Sequence, residues 1–117
     1  MDENGITFSR IILLLGKCDL RKGIDGLAAM IKMKYSLNPM EKGTLFLFCG
    51  TKKDRLKGLL WLGDRFVMLY IRLAEGRFSW PRTAEEAREV NKSDFIRLMD
   101  GYSIESTIGD SSGAIGA

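Results

Sequence analysis

The stretch "GTLFLFCGTKKDRLKGLLWLGDRFVMLYIRLAEGRFSWP", Gly43 to Pro81, decides the fold. Within it the apolar segments "TLFLFC", "RLKGLLWL", "FVMLYIRL" and "RFSWP" are separated by the turn-forming pieces "GTKKD", "GDR" and "AEG". Short apolar runs punctuated this way predict an antiparallel meander of about four strands. Register sets its last hairpin. Pairing Leu73 with Phe78 gathers Leu69, Ile71 and Trp80 on one apolar face and leaves Arg72 beside Ser79 on the other. A slip of one residue would break that face. Gly76 supplies a positive φ either to a Glu75-Gly76 turn or to a longer loop from Ala74 to Arg77, and Pro81, lacking an amide donor, ends the pairing.

Upstream, "RIILLL" from Arg10 to Leu15 reads as a buried strand ending at Gly16. Leu20, Ile24, Leu27, Ala28, Ile31 and Tyr35 then mark one face of a 3.6-residue repeat, which predicts a helix over 20–35 with Asp19 as its N-cap. Gly23 and Gly26 inside that helix point to close approach of its backbone to a strand or a ligand. Asn38-Pro39 ends the segment. Downstream, Thr83 with Glu86 fits a capping box for a short helix over Ala84 to Val90. A second helix begins at Ser93, carries Phe95, Ile96, Leu98 and Met99, and stops at Gly101. The expected fold is therefore α+β: the meander plus an N-terminal strand, packed with one longer helix and a short C-terminal helix. Residues 1–103 form the expected single domain, and the small, polar, glycine-rich residues 104–117 a disordered tail.

Composition narrows the chemistry. With 117 residues, 45% apolar and 28% charged, the chain has the proportions of one globular domain. No apolar run approaches the roughly 18 to 20 residues that cross a bilayer. "RIILLLG" is too short for a signal-peptide core and lacks a small-residue cleavage site after it, so a cytoplasmic location without membrane attachment is expected. Cys18 and Cys49 make neither a disulfide framework nor a metal set and read as reduced thiols. Histidine is absent, which removes the commonest general base and the commonest metal ligand. Cutting DNA with metal ions needs converging carboxylates. Asp25 lies six positions after Asp19 and turns away from it on a helix, while Asp54 and Asp64 sit in turns, where aspartate is an ordinary turn former. No catalytic residue, metal site or cofactor is expected.

Charge is uneven along the chain. The net charge is +3, but residues 1–82 carry 15 basic and 8 acidic side chains, or +7, and residues 83–117 carry 3 and 7, or −4. Such a split suits a polyanion binder, although lysines that merely solvate a sheet would give the same count. Arg21 and Lys22, placed by this reading in the first helical turn, could cradle an anion with the helix amides. Lys52, Lys53, Arg55 and Lys57 form a second cluster, with Arg55 and Lys57 on one strand face by period two. This cluster would equally serve as a charged edge that discourages aggregation. Arg72 and Arg77 are free to act outward. Trp61 shares the parity of Arg55 and Lys57, so Trp61 or Tyr70, if exposed, could stack on unpaired bases. An apolar stripe of Phe95, Leu98, Met99 and Tyr102 could dock on a partner or pack on its own sheet.

Two motifs carry a family likeness. "DLRKGIDGL", Asp19 to Leu27, and "LFLFCGTKKDRLKGLLWLGDRFVMLYIRLAEGRFSWP", Leu45 to Pro81, together resemble the TnpB accessory proteins encoded by the second reading frame of bacterial insertion sequences of family sixty-six. The likeness covers most of Arg10 to Tyr102 in the same order, with Leu62 standing where that family favours aspartate. It implies a non-catalytic helper acting beside a separate transposase. Its partners would be DNA, or, in the alternative, the transposase or another element-encoded protein.

Overall fold

The computed structural model describes residues 6–81 and 86–101. β1 (Arg10–Leu14) and β2 (Thr44–Cys49) lie side by side and parallel, Ile12 opposite Phe46 and Leu14 opposite Phe48. Parallel neighbours need a long crossover, and α1 (Ile24–Tyr35) provides it. From β2 the chain runs down and up through β3 (Arg55–Trp61) and β4 (Phe66–Arg72), each antiparallel to the strand before it. β5 (Ala87–Val90) then adds antiparallel to the far side of β1, and α2 (Lys92–Met99) follows. The five-stranded sheet has the order β4-β3-β2-β1-β5. It is the α+β fold that the sequence indicates, with mostly antiparallel strands, one longer helix and one short one.

Both faces of the central strands are covered, which is why β1 and β2 are apolar at almost every position rather than at alternate ones. On one face Ile12, Leu14, Phe46, Phe48 and Leu59 pack against Leu27, Met30 and Ile31 of α1. On the other, Leu13, Leu45, Leu47 and Leu60 meet Phe78, Trp80 and Leu98. Gly58 lies on this second face, where a Cβ would come within 3.1 Å of Leu45 Cδ1 and 3.2 Å of Leu47 Cδ2.

Several expectations are corrected. The meander has three strands, not four, because residues 73–81 form no hairpin. The Leu73 amide bonds Asp54 O at 2.8 Å and the Phe78 amide bonds Lys53 O at 2.6 Å, so the segment is tied to the β2–β3 turn. From there it passes beneath the sheet, where Phe78 is 3% and Trp80 2% exposed. Leu69, Ile71 and Leu73 do pack against the same cluster, although no Leu73–Phe78 pairing puts them there. Gly76 keeps its positive φ of 83°. The helix expected over 20–35 begins only at Ile24, with Gly23 at its N-cap, and Arg21 and Lys22 precede it. Asp19 caps no helix; it accepts from the Arg21 amide at 3.0 Å, closing a local turn. No strand approaches either glycine of this segment: a Cβ at Gly26 would meet only the side chain of nearby Lys22, at 3.1 Å, and Gly23 has open space around it. The short helix expected over 84–90 is instead, from Ala87 onward, strand β5, while Thr83 and Ala84 lie outside the described residues. The last helix begins at Lys92 rather than Ser93, capped by Asn91, whose side chain accepts from the Asp94 amide at 2.7 Å. Tyr102 and the expected tail also fall outside the described residues.

Candidate nucleic-acid interface

Covering by α1 is one-sided. It packs over β1, β2 and the inner residue Leu59 of β3, but toward β4 the same sheet face opens to solvent. Register places the side chains of this face in rows, from the buried Leu59 opposite Met68 outward to Lys57 opposite Tyr70 and Arg55 opposite Arg72, with Trp61 opposite Phe66 at the other end. Period two along β3 and β4 brings these cations and aromatics to one side, as the parity of Arg55, Lys57 and Trp61 predicts. Tyr70 is 53% exposed and Arg72 is exposed beside it.

The loop after β1 and the turn after β2 extend this surface. Both strands run the same way, so both deliver their following loops to one end of the sheet. At that end Lys17, Arg21, Lys52, Arg55 and Tyr70, with Asp19 and Asp54, line a concavity of about 600 Å³. Lys57 bridges the sheet and the loop: its Nζ donates to Lys22 O at 2.9 Å and stands 5.6 Å from the centre of the Tyr70 ring. Arg55 donates through Nη1 to the Tyr70 hydroxyl at 3.3 Å and through Nε to Asp54 Oδ1 at 3.1 Å.

Electrostatics divide the cations into two sets. Arg21 and Arg55 each hold an aspartate, at 2.9 Å and 3.1 Å respectively, although the Arg21 side chain remains 91% exposed. Hydrogen bonds from Arg21 bring the Asp19 carboxyl down to about 2, and the bond from Arg55 lowers that of Asp54. Among the described residues, no carboxylate lies within ion-pair distance of Lys22, Lys52, Lys57 or Arg72. Lys22 and Arg72 act on Asp19 and Asp54 through space without contact, lowering those carboxyls further. Lys53 and Arg77 are at the same end of the sheet, but in the turn and in the loop tied to it, and they do not line the concavity. Lys53 holds a left-handed backbone with φ 62°. Trp61 is half-buried, tilted against Phe66 with ring centres 4.8 Å apart, and stands six residues along β3 from Arg55, roughly 20 Å away.

Lys17 is a lining residue that sequence reasoning missed; its signal, a lysine just after an apolar strand, becomes informative only once β1 and β2 are known to be parallel. Cys18 lines the concavity too, but burial pushes its thiol up to about 11, so it stays protonated and is a poor nucleophile. Among the described residues, no three His, Cys, Asp or Glu side chains are grouped so as to hold a metal ion, and no helix is long and apolar enough to cross a membrane.

Comparison with known proteins agrees with the motifs. The family described as "IS66 Orf2 like protein" matches residues 9–108. A relative from Sinorhizobium fredii, named "Uncharacterized protein y4jC", is 27% identical over 92 residues, 79% of this chain and 78% of that protein. No solved structure matches. With the match running from before β1 to beyond α2, the chain belongs to the IS66 Orf2-like family, accessory proteins of insertion-sequence transposition.

Proposed function

We propose that this accessory protein acts without catalysis, by binding DNA of the element through the open half of its sheet and the adjoining loops. Lys22, Lys52, Lys57 and Arg72 take phosphates directly, while Arg21 and Arg55 exchange an aspartate for a phosphate on binding. Lys53 and Arg77 flank the track. Tyr70 offers a ring for base stacking, and Trp61, half-buried and distant, contributes only if a strand runs the length of β3. The observation that carries the reading is the juxtaposition of Arg55, Lys57 and Arg72 with the exposed Tyr70 on a face that α1 leaves open. Sheet surfaces that pair cations with aromatics suit nucleic acid, because phosphates and base faces are both satisfied.

The other reading, docking on the transposase or another element-encoded protein, draws less support. Phe95, Leu98 and Met99, the stripe that would have served it, pack on the protein's own sheet.

Fluorescence anisotropy with labelled duplex and single-stranded fragments of the element, read across a salt series, tests the proposal. Affinity should fall with salt at a log-log slope of about −0.9 per phosphate neutralised on duplex DNA. Reversing charge with Lys52→Glu and Arg72→Glu together should abolish retention at low salt. A flat salt response, or full binding by the double variant, would refute the assignment.

A further inference from the structure

β4 is an edge strand without the features that normally guard one. Among the described residues, nothing pairs with its outer side. It is seven residues long, apolar but for Arg72 at its end, and pairs with β3 in unbroken register, with neither bulge nor proline. Every residue from Phe66 to Leu69 is partly exposed, and so is Ile71, so neither face of the strand is fully covered. The opposite edge, β5, is built otherwise: four residues long, with Arg88 and Glu89 at its centre. Short, charged edges resist pairing, and long apolar ones invite it.

Backbone direction identifies the groups on offer. Leu62 N bonds Arg65 O at 2.9 Å and Leu73 N bonds Asp54 O at 2.8 Å. By alternation along an antiparallel pair, Val67, Leu69 and Ile71 then turn their amides and carbonyls toward β3. Phe66, Met68, Tyr70 and Arg72 turn theirs outward.

We propose that this edge pairs with the same edge of a second copy, antiparallel across a two-fold axis, to make one continuous sheet. A symmetric pair of copies must place identical strands antiparallel. Only a register that sets outward residues against outward residues makes ladder bonds, and one such register matches all seven positions. It sets Phe66 opposite Arg72 of the other copy, Val67 opposite Ile71, Met68 opposite Tyr70, and Leu69 against Leu69 on the axis. Each contact is favourable by type: cation against ring, β-branched against β-branched, thioether against ring, leucine against leucine. No like charges meet. The pairing would also join the two open faces, so that Arg55, Lys57 and Tyr70 of both copies lie on a single surface. The proposal stands whether or not that surface binds DNA.

Light scattering or sedimentation equilibrium on the full chain, without nucleic acid, across the micromolar range, should give twice the single-chain mass. A single-chain mass throughout would overturn the proposal, whatever covers β4 instead. Leu69→Cys should cross-link into a reducible dimer under mild oxidation, because residues facing each other in a non-hydrogen-bonded pair have Cα atoms about 4.5 Å apart, within disulfide reach. Cys18 and Cys49 are buried and do not compete. Ile71→Cys, whose counterpart is offset along the strand, should cross-link far less. Equal cross-linking of both, or none by Leu69→Cys in a dimeric protein, would also overturn it. Met68→Pro removes an outward amide and no bond to β3; it should give single-chain mass with an unchanged circular dichroism spectrum, and a dimer that survives it counts against this edge.

Discussion

Arg55 and Arg72 face each other directly across β3 and β4, two guanidinium groups on one sheet face with Asp54 as the counter-charge to the first. Like charges opposite each other oppose folding. Replacing Arg72 should therefore leave stability unchanged or slightly improved while weakening DNA binding. The expected result for Arg72→Gln is a thermal midpoint at or just above that of the parent, with a salt slope shallower by about one unit. Calorimetry and anisotropy on the same preparation read the two effects separately. A lowered midpoint would mean that Arg72 serves the fold.

On the proposed DNA-binding surface, Asp19 would compete with phosphate for Arg21 and would repel it as well. Asp19→Asn removes that competition and should tighten DNA binding about fivefold, the scale of one unit charge at about 4 Å in water-like surroundings. The gain should fade as salt rises. Equilibrium titration at two salt concentrations checks both statements.

Acid should weaken the fold through named pairs. The carboxyl of Asp19 is brought down to about 2 by Arg21, and those of Asp54, Asp64 and Glu89 are lowered by Arg55, Arg65 and Arg10. The unfolded chain takes up these protons near about 4. Each pair contributes its stability fully above that pH and loses it as pH falls toward the folded value. Denaturant midpoints should be level from neutrality to about pH 5 and then decline. Carboxyl NMR titration of Asp19 should give a midpoint near 2 in the parent and a higher one in Arg21→Ala.

Gly58 makes room for two leucines on the buried side of β3. Gly58→Ala pushes a methyl toward Leu45 Cδ1 and Leu47 Cδ2, at 3.1 and 3.2 Å. Overpacking of this kind should cost about 1 to 2 kcal/mol, less whatever the alanine returns in chain entropy. Chemical denaturation measures it, and no change would mean that the sheet yields freely at this point.

Much of this was legible in the sequence, for reasons that differ between elements. β2, β3 and β4 follow from apolar runs between turn residues, and the cation rows follow from strand parity. The parallel placement of β1 was also within reach, because runs such as Ile11–Leu15 and Leu45–Cys49, apolar at every position, belong to strands buried on both faces. What misled was "GRFSWP". Strand pairing and burial beneath the sheet both satisfy Phe78 and Trp80, and local pattern does not distinguish them. As a fourth strand they would lie at the margin of the sheet; tied to Lys53 and passed underneath, they are almost wholly removed from water. The Asp19 cap failed for a related reason: its oxygens were engaged by Arg21, two residues on, before the helix began.

The pairing of β1 with β5 sets Ile11 beside Val90, two residues far apart in the sequence. During synthesis β1 must wait until residues 15–86 have emerged before its outer ladder with β5 can close, whereas β2, β3 and β4 can zip together as soon as each turn is made. A nascent chain halted before Ala87 would present Ile11 to Leu14 with a bare flank, and the closing step, coming last, is where chaperones would have most to protect.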